Sequence, residues 1–309
     1  MNLESKFLGG MVGSALGDCI GELAFDYRSG ASLLQIVNEI PLLVYTDDTA
    51  MAIGIAQSLT TIGKIDCQHL GTTFRTNFIK EPYRGYAIGP PTIFSKVQSG
   101  MSYTQAAQSL FRGTGSFGNG AAMRITPLGL FLYDSSDLYE KVRRSAIVTH
   151  AHPLGIEGAA LLARAIALVV PRVPEEEGDA NEWTGFLDEI HNFVQTEEYN
   201  QQIQQIKKLL AEKASLKSAA RKLGTNVTAL QSVPFSIFAF LKNPYSFDKC
   251  LFDSVLVGGD RDTIGAMVGG LLGAHLGIEA IPMKWREKLE NRQIIEALAN
   301  KLVELLKKS

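Results

Sequence analysis

Cysteine is scarce in this sequence, with only three residues, Cys19, Cys67 and Cys250, in a chain of 309. Their number is odd, they are widely spaced, and no two of them form a Cys-x-x-Cys motif. The sequence therefore indicates neither a disulfide framework nor a structural zinc site. A protein of this kind suits a reducing compartment, so we expect a cytoplasmic location.

Excess charge of either sign is also lacking. The chain has 30 basic and 32 acidic residues and a formal net charge of -2. Bulk electrostatics therefore give no reason to expect general nucleic-acid binding, and any anionic ligand must be held by a local site.

Long apolar runs are missing as well, because no stretch reaches the ~20 residues that a membrane span needs. The N-terminal run FLGGMVGSALG resembles the core of a signal peptide, but Glu4 precedes it and Asp18 and Glu22 follow it directly. Acidic residues at these places argue against a secretion signal. We therefore expect no membrane association.

No convincing strand pattern occurs, and apolar residues three and four positions apart dominate the chain instead. The segments that we predict as helices are 6–21, 48–60, 65–80, 103–111, 137–150, 155–170, 184–195, 199–212, 214–223, 227–241, 246–257, 263–277 and 290–308. Two Pro- and Gly-rich stretches, 81–92 and 113–120, are predicted as functional loops, and 171–182 as an acidic surface connection. The fold prediction is an all-α, compact orthogonal bundle of roughly a dozen or more helices that forms a single domain over residues 1–309.

Two acidic clusters, each opening a predicted helix, are the most informative pattern. They are Thr46, Asp47, Asp48, Thr49 and Asp260, Arg261, Asp262, Thr263. If the fold brings the two helix starts together, their carboxylates and hydroxyls form a nest of hard oxygen donors that suits Mg²⁺ or Mn²⁺ better than zinc, copper or iron–sulfur. Helix capping is the alternative for either cluster alone, although each supplies more capping groups than one helix start needs. We therefore predict a di-metal hydrolytic cleft.

Glycine recurs at every fourth position in two segments. The stripes are Gly9, Gly13, Gly17, Gly21 and Gly265, Gly269, Gly273, Gly277. On a helix this spacing makes one smooth face, so the two helices can pack against each other with their backbones unusually close. Such packing would bring Asp18 toward the acidic cluster at Asp260.

The loop from Gly113 to Gly120 is rich in glycine and carries Ser116 and Asn119. Its backbone N–H groups can approach a phosphate, while Phe111 or Phe117 can lie against a flat base or sugar. The loop matches neither the dinucleotide fingerprint nor the Walker pattern, and an ordinary tight turn is the alternative.

Polar residues also interrupt the helical pattern at Thr149, His150 and His152. Two histidines can ligate a metal, but no further ligands with zinc-like spacing follow. We therefore expect a helix-end histidine that contacts a ligand or the last carbonyl groups. Nearby Arg124 can pair with a carboxylate or a phosphate, or form a structural ion pair.

In this order, the motifs resemble the ADP-ribosylglycohydrolase family, magnesium-dependent and all-helical hydrolases that remove ADP-ribose from proteins. The resemblance rests on GDCIG at 17–21, YTDDTAM at 45–51, RGY at 84–86, GSFGNGAAMRI at 115–125, THA at 149–151, SVPFSIFAFL at 232–241 and GGDRDTIG at 258–265. Within the family, the chain is most similar to the branch that hydrolyses serine-linked and polymeric ADP-ribose.

The resemblance implies roles for individual residues. For two Mg²⁺ ions it implies Thr46, Asp47, Asp48, Asp260, Asp262 and Thr263 as ligands. For ADP-ribose it implies Gly115, Ser116, Phe117, Gly118 and Asn119 around the diphosphate and distal ribose, with Phe111 and His150 as flanking contacts. Asp18 matches an acid beside the metals, which we interpret as an orienting residue.

The chain departs from this branch at two positions. Phe25 stands where simple alignment expects a mobile glutamate, so Glu22 and Asp26 become the nearest carboxylates and Glu39 a more distant one. With Asp47, we take Glu22 and Asp26 as the catalytic candidates. Arg261 lies between two expected metal ligands, where it can point outward, reach a substrate phosphate or weaken metal binding. The outward orientation is sterically the easiest.

The resulting functional hypothesis is a monomeric, Mg²⁺-dependent hydrolase that cleaves the O-glycosidic bond of ADP-ribosylated proteins, polymers or related small esters and releases ADP-ribose. Two alternatives stay open. One is a catalytically silent ADP-ribose-binding or structural member of the family, which both departures motivate. The other is a hydrolase of arginine-linked ADP-ribose.

Overall fold

The computed structural model describes residues 2–174 and 183–308. Within these ranges the chain forms seventeen α-helices, three short 3-10 helices and no β-strand. The α-helices are α1 (Leu3–Leu23), α2 (Gly30–Glu39), α3 (Asp47–Ile62), α4 (Cys67–Lys80), α5 (Gly89–Gln98), α6 (Tyr103–Gln108), α7 (Thr126–Phe131), α8 (Leu138–Ala146), α9 (Pro153–Val169), α10 (Thr184–Phe193), α11 (Glu197–Ala211), α12 (Leu216–Leu223), α13 (Ala229–Lys242), α14 (Phe247–Val255), α15 (Arg261–Leu276), α16 (Met283–Arg286) and α17 (Arg292–Lys307). The all-α prediction is confirmed. None of the helices in these ranges is long and apolar enough to cross a membrane.

Each segment predicted as a helix contains one, but α2, α5, α7 and α16 were not predicted. The predicted loop over 81–92 was wrong at its end, because α5 begins at Gly89 and has prolines in its first turn. Proline fits there, since the first N–H groups of a helix have no partner within that helix. The predicted connection 171–182 lies outside the described residues from 175 onward.

The predicted contact between the two glycine-striped helices is confirmed and forms the centre of the fold. A Cβ atom on Gly17 would overlap the carbonyl oxygen of Gly265, and one on Gly265 would overlap the carbonyl oxygen of Gly17. The same reciprocal contact joins Gly13 to Gly269 and also Gly9 to Gly273. Backbones this close leave no room for a side chain at these glycine positions of either helix.

The contact continues to the end of α1, where a Cβ atom on Gly21 would meet the backbone of Arg261 and Asp262. The last turn of α1 therefore lies against the first turn of α15. Asp18, one turn before Gly21, is completely buried. The glycine stripes thus bring acidic residues from the two ends of the chain to the same region.

A short extended segment before α3 forms the other side of this region. Leu43 donates its N–H to the carbonyl of Lys288 and accepts from the N–H of Glu290, at 2.8 and 3.0 Å. Arg84 donates to both carboxylate oxygens of Glu290, at 2.6 and 3.1 Å, and to the carbonyl of Tyr45, at 3.1 Å. The C-terminal part of the chain and Arg84 together hold the segment that leads into α3.

We expect Gly17→Ala to destabilise the protein by about 1–3 kcal/mol, because the added methyl group must push two backbones apart. Gly185→Ala is the matched control, since a Cβ atom at Gly185 in α10 meets nothing within 4 Å. The control should be neutral or slightly stabilising, because alanine favours a helix over glycine. Urea unfolding of the two variants measures the difference, and equal midpoints would contradict the packing argument.

Candidate active site

A cavity of about 400 Å³ opens where the starts of α3 and α15 meet the glycine-rich loop. Its lining combines residues from six separate parts of the chain. They include Asp47, Asp48, Met51, Gly85, Ile88, Phe111, Ser116, Phe117, Gly118, Asn119, Gly120, Thr149, His150, Val227, Asp260, Asp262 and Thr263. Most of the residues that the sequence singled out therefore face one space.

Polar and apolar groups occupy different parts of this cavity. Four polar lining residues, Asp48, Thr263, Asn119 and His150, are less than 9% exposed and lie in the interior beside the buried Met51 and Met123. The most exposed lining residues are apolar, namely Ile88 at 79%, Val227 at 63%, Phe111 at 55% and Phe117 at 47%. The cavity thus has an acidic, hydrogen-bonding interior and a hydrophobic mouth, which fits a ligand with a flat apolar end and a polar end.

The first acidic cluster is organised by Asp18. Its carboxylate accepts hydrogen bonds from the hydroxyls of Thr46 and Thr49, at 2.8 and 2.6 Å, and from their backbone N–H groups. Thr46 also caps α3, because its hydroxyl accepts from the N–H of Asp48. Capping is therefore the role of Thr46, while Asp47 and Asp48 face the cavity. The geometry agrees with the interpretation of Asp18 as an orienting residue.

The second cluster is tied to the glycine-rich loop by Asn119. Its side-chain amide donates to Asp260, at 2.6 Å, and to the hydroxyl of Ser232, at 3.1 Å. Two backbone N–H groups of the loop are also engaged, since Gly118 donates to the Ser116 hydroxyl and Asn119 to the carbonyl of Val227. These groups hold the loop in place and are not free to bind a phosphate.

Burial and neighbouring carboxylates raise the pKa of three acids in the two clusters. Burial, then the charges of Asp18 and Asp262, raise the pKa of Asp47 to about 7. Burial and the charge of Asp262 also raise the pKa of Asp260 to about 7. For Asp48, burial and the same neighbours hold the pKa well above its ordinary value. The protein therefore holds these acids together against their mutual repulsion.

One atom in this group lacks a partner. The Oδ1 atom of Asp48 is buried and makes no hydrogen bond. Leaving a buried carboxylate oxygen unpaired is unfavourable, and a bound cation would relieve both this loss and the repulsion between the acids. Hard oxygen donors of this kind fit Mg²⁺ or Mn²⁺.

The predicted di-metal cleft is nevertheless not present as a finished cage. Within residues 2–174 and 183–308, no three His, Cys, Asp or Glu side chains converge closely enough to hold a metal ion. Thr46 turns to Asp18 and lines a neighbouring cavity instead of this one. The fit to a metal thus rests on the chemistry of the donors and on the unpaired oxygen of Asp48.

A buried cation supports the other side of the cavity. Arg124 is only 1% exposed, stacks over the ring of Phe74 at 4.8 Å, and donates to the hydroxyl of Thr149 at 2.7 Å. Its pKa is lowered to about 9 by burial, while the charge of Asp47 acts in the opposite direction. Among the described residues, the guanidinium of Arg124 donates to the Met51 sulfur and the Thr149 hydroxyl and not to a carboxylate, and Arg124 does not line the cavity.

The Thr149 hydroxyl is also hydrogen-bonded to His150, whose Nδ1 lies 2.8 Å away. Because Arg124 can only donate, the hydroxyl accepts from it and can give its own hydrogen to Nδ1. This arrangement favours the tautomer with hydrogen on Nε2. Burial, and then the charge of Arg124, lower the pKa of His150 to about 3, so the ring is neutral. His150 therefore offers the cavity a neutral N–H donor.

Glu22, Asp26 and Glu39, the candidates for the carboxylate expected at the position of Phe25, lie in different surroundings. Glu22 lines a second cavity together with Asp47 and Asp262, and burial followed by the charges of Asp262 and Asp26 raises its pKa. Asp26 is exposed and lines neither cavity. Glu39 is exposed in α2, where it accepts a hydrogen bond from Gln35 at 2.9 Å. Glu22 is thus the carboxylate that shares a space with the acidic clusters.

Arg261 adopts the outward orientation. Its guanidinium donates to the carbonyl of Val255 at the end of α14, at 2.6 Å. The residue does not line the cavity. The cation between Asp260 and Asp262 is therefore directed to the end of α14 and does not occupy the acidic interior.

Several residues of the site were not singled out by sequence reasoning. Ile88 and Gly85 belong to the 81–92 stretch that we predicted as a functional loop, so a signal for them existed. Val227 and Met51 look like ordinary apolar residues of helical segments. Gly115, by contrast, was singled out as a ligand contact but does not line the cavity, because it lies against the backbone of Ala151 and His152.

The comparisons with known proteins agree over the full chain. The sequence profile of the ADP-ribosylglycohydrolase family matches residues 1–309. The chain is 32% identical to the ADP-ribosylhydrolase ARH3 of Mus musculus over an alignment of 343 positions that covers 99% of this chain and 93% of the mouse protein. It is 31% identical to the ADP-ribosylhydrolase ARH3 of Homo sapiens, with 99% and 94% covered.

A solved structure shares the fold. It is an ADP-ribosylglycohydrolase-related protein complex, with a TM-score of 0.68, 98% of both chains covered and 21% identity. At this identity the likeness concerns the arrangement of the helices alone.

We expect Thr149→Val to remove the hydrogen bond to Nδ1 of His150 and so release the ring from a single tautomer. Thr149→Ser keeps the hydroxyl and is the matched control. Long-range ¹H–¹⁵N NMR correlations of the His150 ring measure the tautomer directly. Wild type and Thr149→Ser should carry hydrogen on Nε2, and the valine variant should show a mixture. Hydrogen on Nδ1 in the wild type would contradict the assignment.

Proposed function

The chain belongs to the ADP-ribosylglycohydrolase family, which makes it a glycosidic-bond hydrolase, and we propose that it is a Mg²⁺-dependent enzyme that removes ADP-ribose from serine residues of proteins. The observation that carries the proposal is the cavity that joins a hydrophobic mouth to an acidic interior. An ADP-ribosyl group has the same two ends, a flat adenine and a polar ribose beside the bond to be cleaved.

The mouth of the cavity supports binding of the nucleotide. Phe111 and Phe117 are large, exposed aromatic rings on its lining, and the Phe117 ring packs edge-on against His152 at 5.5 Å. Such rings can stack on adenine. The Ser116 hydroxyl and the Nε2–H group of His150 are the side-chain donors that we assign to the diphosphate and distal ribose.

The acidic interior supports a divalent metal. We assign the ions to Asp47, Asp48, Asp260, Asp262 and Thr263, with Thr46 kept as a candidate through its backbone or a rearranged side chain. Bound Mg²⁺ would supply positive charge for the ribose hydroxyls and for a nucleophilic water. Asp18 supports the arrangement by fixing the start of α3 through Thr46 and Thr49.

Cleavage of a glycosidic bond also needs a group that gives a proton to the leaving oxygen and takes one from water. We assign this role to Glu22, which lines the space on the far side of Asp47 and Asp262 from the nucleotide cavity. Asp47 borders both spaces, so it can accept a hydrogen bond from the attacking water. Asp26 acts through its charge on Glu22 and has no direct contact in this scheme.

A second candidate function is a catalytically silent ADP-ribose binder. The observation that favours it is Phe25 at the position where the related branch has a glutamate, with a side chain 37% exposed. The monomeric state, the single domain over 1–309 and the cytoplasmic location stay predictions, and the three unpaired cysteines support the last of them.

We expect release of free ADP-ribose from a serine-ADP-ribosylated peptide in Mg²⁺, and its loss in EDTA. Asp48→Asn should lower kcat by roughly 100-fold or more, because it removes charge at the unpaired oxygen while keeping the side-chain shape. Asp253→Asn is the control, since this exposed carboxylate pairs with Lys249 at the protein surface, at 3.0 Å. Full activity in EDTA would contradict the metal assignment. ADP-ribose binding without turnover on serine-, arginine- or polymer-linked substrates would favour the silent binder.

We expect Glu22→Gln to lower kcat by roughly 10²–10⁴-fold, because general acid–base catalysis contributes on this scale. Asp26→Asn should have a much smaller effect, and Glu39→Gln, which changes an exposed carboxylate in α2, should have none. Steady-state kinetics on the same peptide measure all three variants. The assignment would be wrong if Asp26→Asn or Glu39→Gln lost more activity than Glu22→Gln.

A further inference from the structure

A second cavity of about 420 Å³ lies beside the first. The two cavities share three lining residues, Asp47, Gly85 and Asp262, which we call the acidic ridge. Everything else that lines the second cavity belongs to other parts of the chain, chiefly the end of α1 and the segment before α3. The ridge is therefore a boundary with an open space on each side.

One wall of the second cavity is hydrophobic and held in an extended conformation. Leu43 pairs with the backbone of Lys288 and Glu290, and both Leu43 and Tyr45 are buried. Because side chains alternate along an extended segment, Leu42 and Val44 point to the opposite, open side, where they are 44% and 50% exposed. Tyr83, 73% exposed, lies on the same cavity. We call the space bordered by Glu22, Leu42, Val44 and Tyr83 the side groove.

The charges along the side groove are negative. Glu22, Asp47 and Asp262 line it, and Arg84 is the one cation in its lining. Arg84 is 4% exposed, and its guanidinium donates hydrogen bonds to Glu81, Glu290 and the carbonyl of Tyr45. Among the described residues that line it, the groove has no free cation to receive a phosphate. Because Asp47 and Asp262 are assigned to bound metal, Glu22 is the negative charge that the groove keeps in the proposed enzyme. A diphosphate would find no ion-pair partner beside Glu22, whereas an apolar or cationic chain would be accepted.

We propose that the side groove binds the polypeptide that carries the ADP-ribosyl group, and so selects single units on proteins over poly-ADP-ribose. The proposal rests on the function proposed above. With ADP-ribose in the first cavity, the bond to be cleaved lies at the acidic ridge, so whatever is attached to the ribose continues into the groove. The next unit of a polymer is joined through the ribose of its adenosine and carries its diphosphate within a few bonds of that place, while a peptide brings side chains that can pack on Leu42, Val44 and Tyr83.

Kinetics on two substrates test the groove. One is a mono-ADP-ribosylated serine peptide with apolar flanking residues, and the other is the methyl O-glycoside of ADP-ribose, which has nothing to place in the groove. We expect Leu42→Asp to lower the ratio of kcat/KM for the peptide to kcat/KM for the glycoside about tenfold, mainly through KM. Leu34→Asp is the matched control, because Leu34 is 45% exposed on α2 and does not line the groove. Equal ratios in the two variants would overturn the proposal.

The preference against polymer has a separate test. Wild type should turn over the peptide at least tenfold more efficiently than poly-ADP-ribose, and Val44→Lys should narrow this gap by adding the missing cation. A wild-type preference for the polymer would overturn the proposal.

A binding measurement distinguishes this proposal from the hydrolase itself. A thioether-linked, uncleavable ADP-ribosylated peptide should bind wild type more tightly than free ADP-ribose in calorimetry, and Leu42→Asp should abolish the difference. Tighter binding of the conjugate without turnover of any substrate would overturn the proposed hydrolysis but support peptide binding in the side groove. Turnover with equal affinities for the conjugate and ADP-ribose would overturn the groove and leave the hydrolase. Failure to bind either ligand would overturn both.

Discussion

The site depends on one interaction, the backbone contact between α1 and α15. Glycine at every fourth position lets the carbonyl oxygens of each helix approach the Cα atoms of the other from Gly9 to Gly21. This close approach fixes Asp18 and Glu22 of α1 beside Asp262 of α15. Asp18 then fixes a third segment, because it binds the hydroxyls of Thr46 and Thr49 at the start of α3. One contact between glycines therefore positions the charged groups of α1, of α15 and of the start of α3.

The charge that this packing gathers has only indirect compensation in the protein. Five carboxylates, those of Asp18, Asp47, Asp48, Asp260 and Asp262, share one region, while the nearby buried cation Arg124 is directed to Thr149. A fold that only needed to be stable would gain from replacing some of these acids, because buried like charges are unfavourable. The large apolar core, with α1, α9, α13 and α15 buried on nearly all faces, supplies the stability that tolerates this arrangement. This unfavourable grouping of acids is the feature that the proposed metal ions would stabilise.

How much of this could be read from the sequence depends on how local each feature is. The long helices and the glycine stripes are patterns within short segments, so the helices and the contact between the stripes were predicted correctly. The metal-binding role of the acidic clusters stays a prediction. The helix α2 was not predicted, because its buried residues, Leu33 and Val37, are too few to give a clear helical pattern. Its capping box joins two serines, Ser29 and Ser32, which do not stand out in the sequence as a helix start.

Features that need distant residues could not be derived from the sequence. The hydrogen bonds from Arg124 to Thr149 and from Thr149 to His150 join two segments of the chain. The sequence of neither segment indicates that Thr149 is the partner of Arg124. The choice of Glu22 over Asp26 also needed the structure, since both follow the same motif and only the packing of α1 on α15 brings one of them beside Asp262. Arg84 was noticed only as part of a family motif, although it anchors the segment that leads into α3.

The acidic ridge of Asp47, Gly85 and Asp262 has a kinetic consequence, because it gives the active site two openings. In the proposed reaction, cleavage at the ridge would leave the nucleotide and the freed polypeptide on opposite sides, each with its own way out. Neither product has to wait for the other, so their departure has no compulsory order. Accumulated ADP-ribose would then compete with the nucleotide part of a new substrate, while the released polypeptide would leave the nucleotide opening free. An enzyme built in this way can discard a large protein product without being held by the small one.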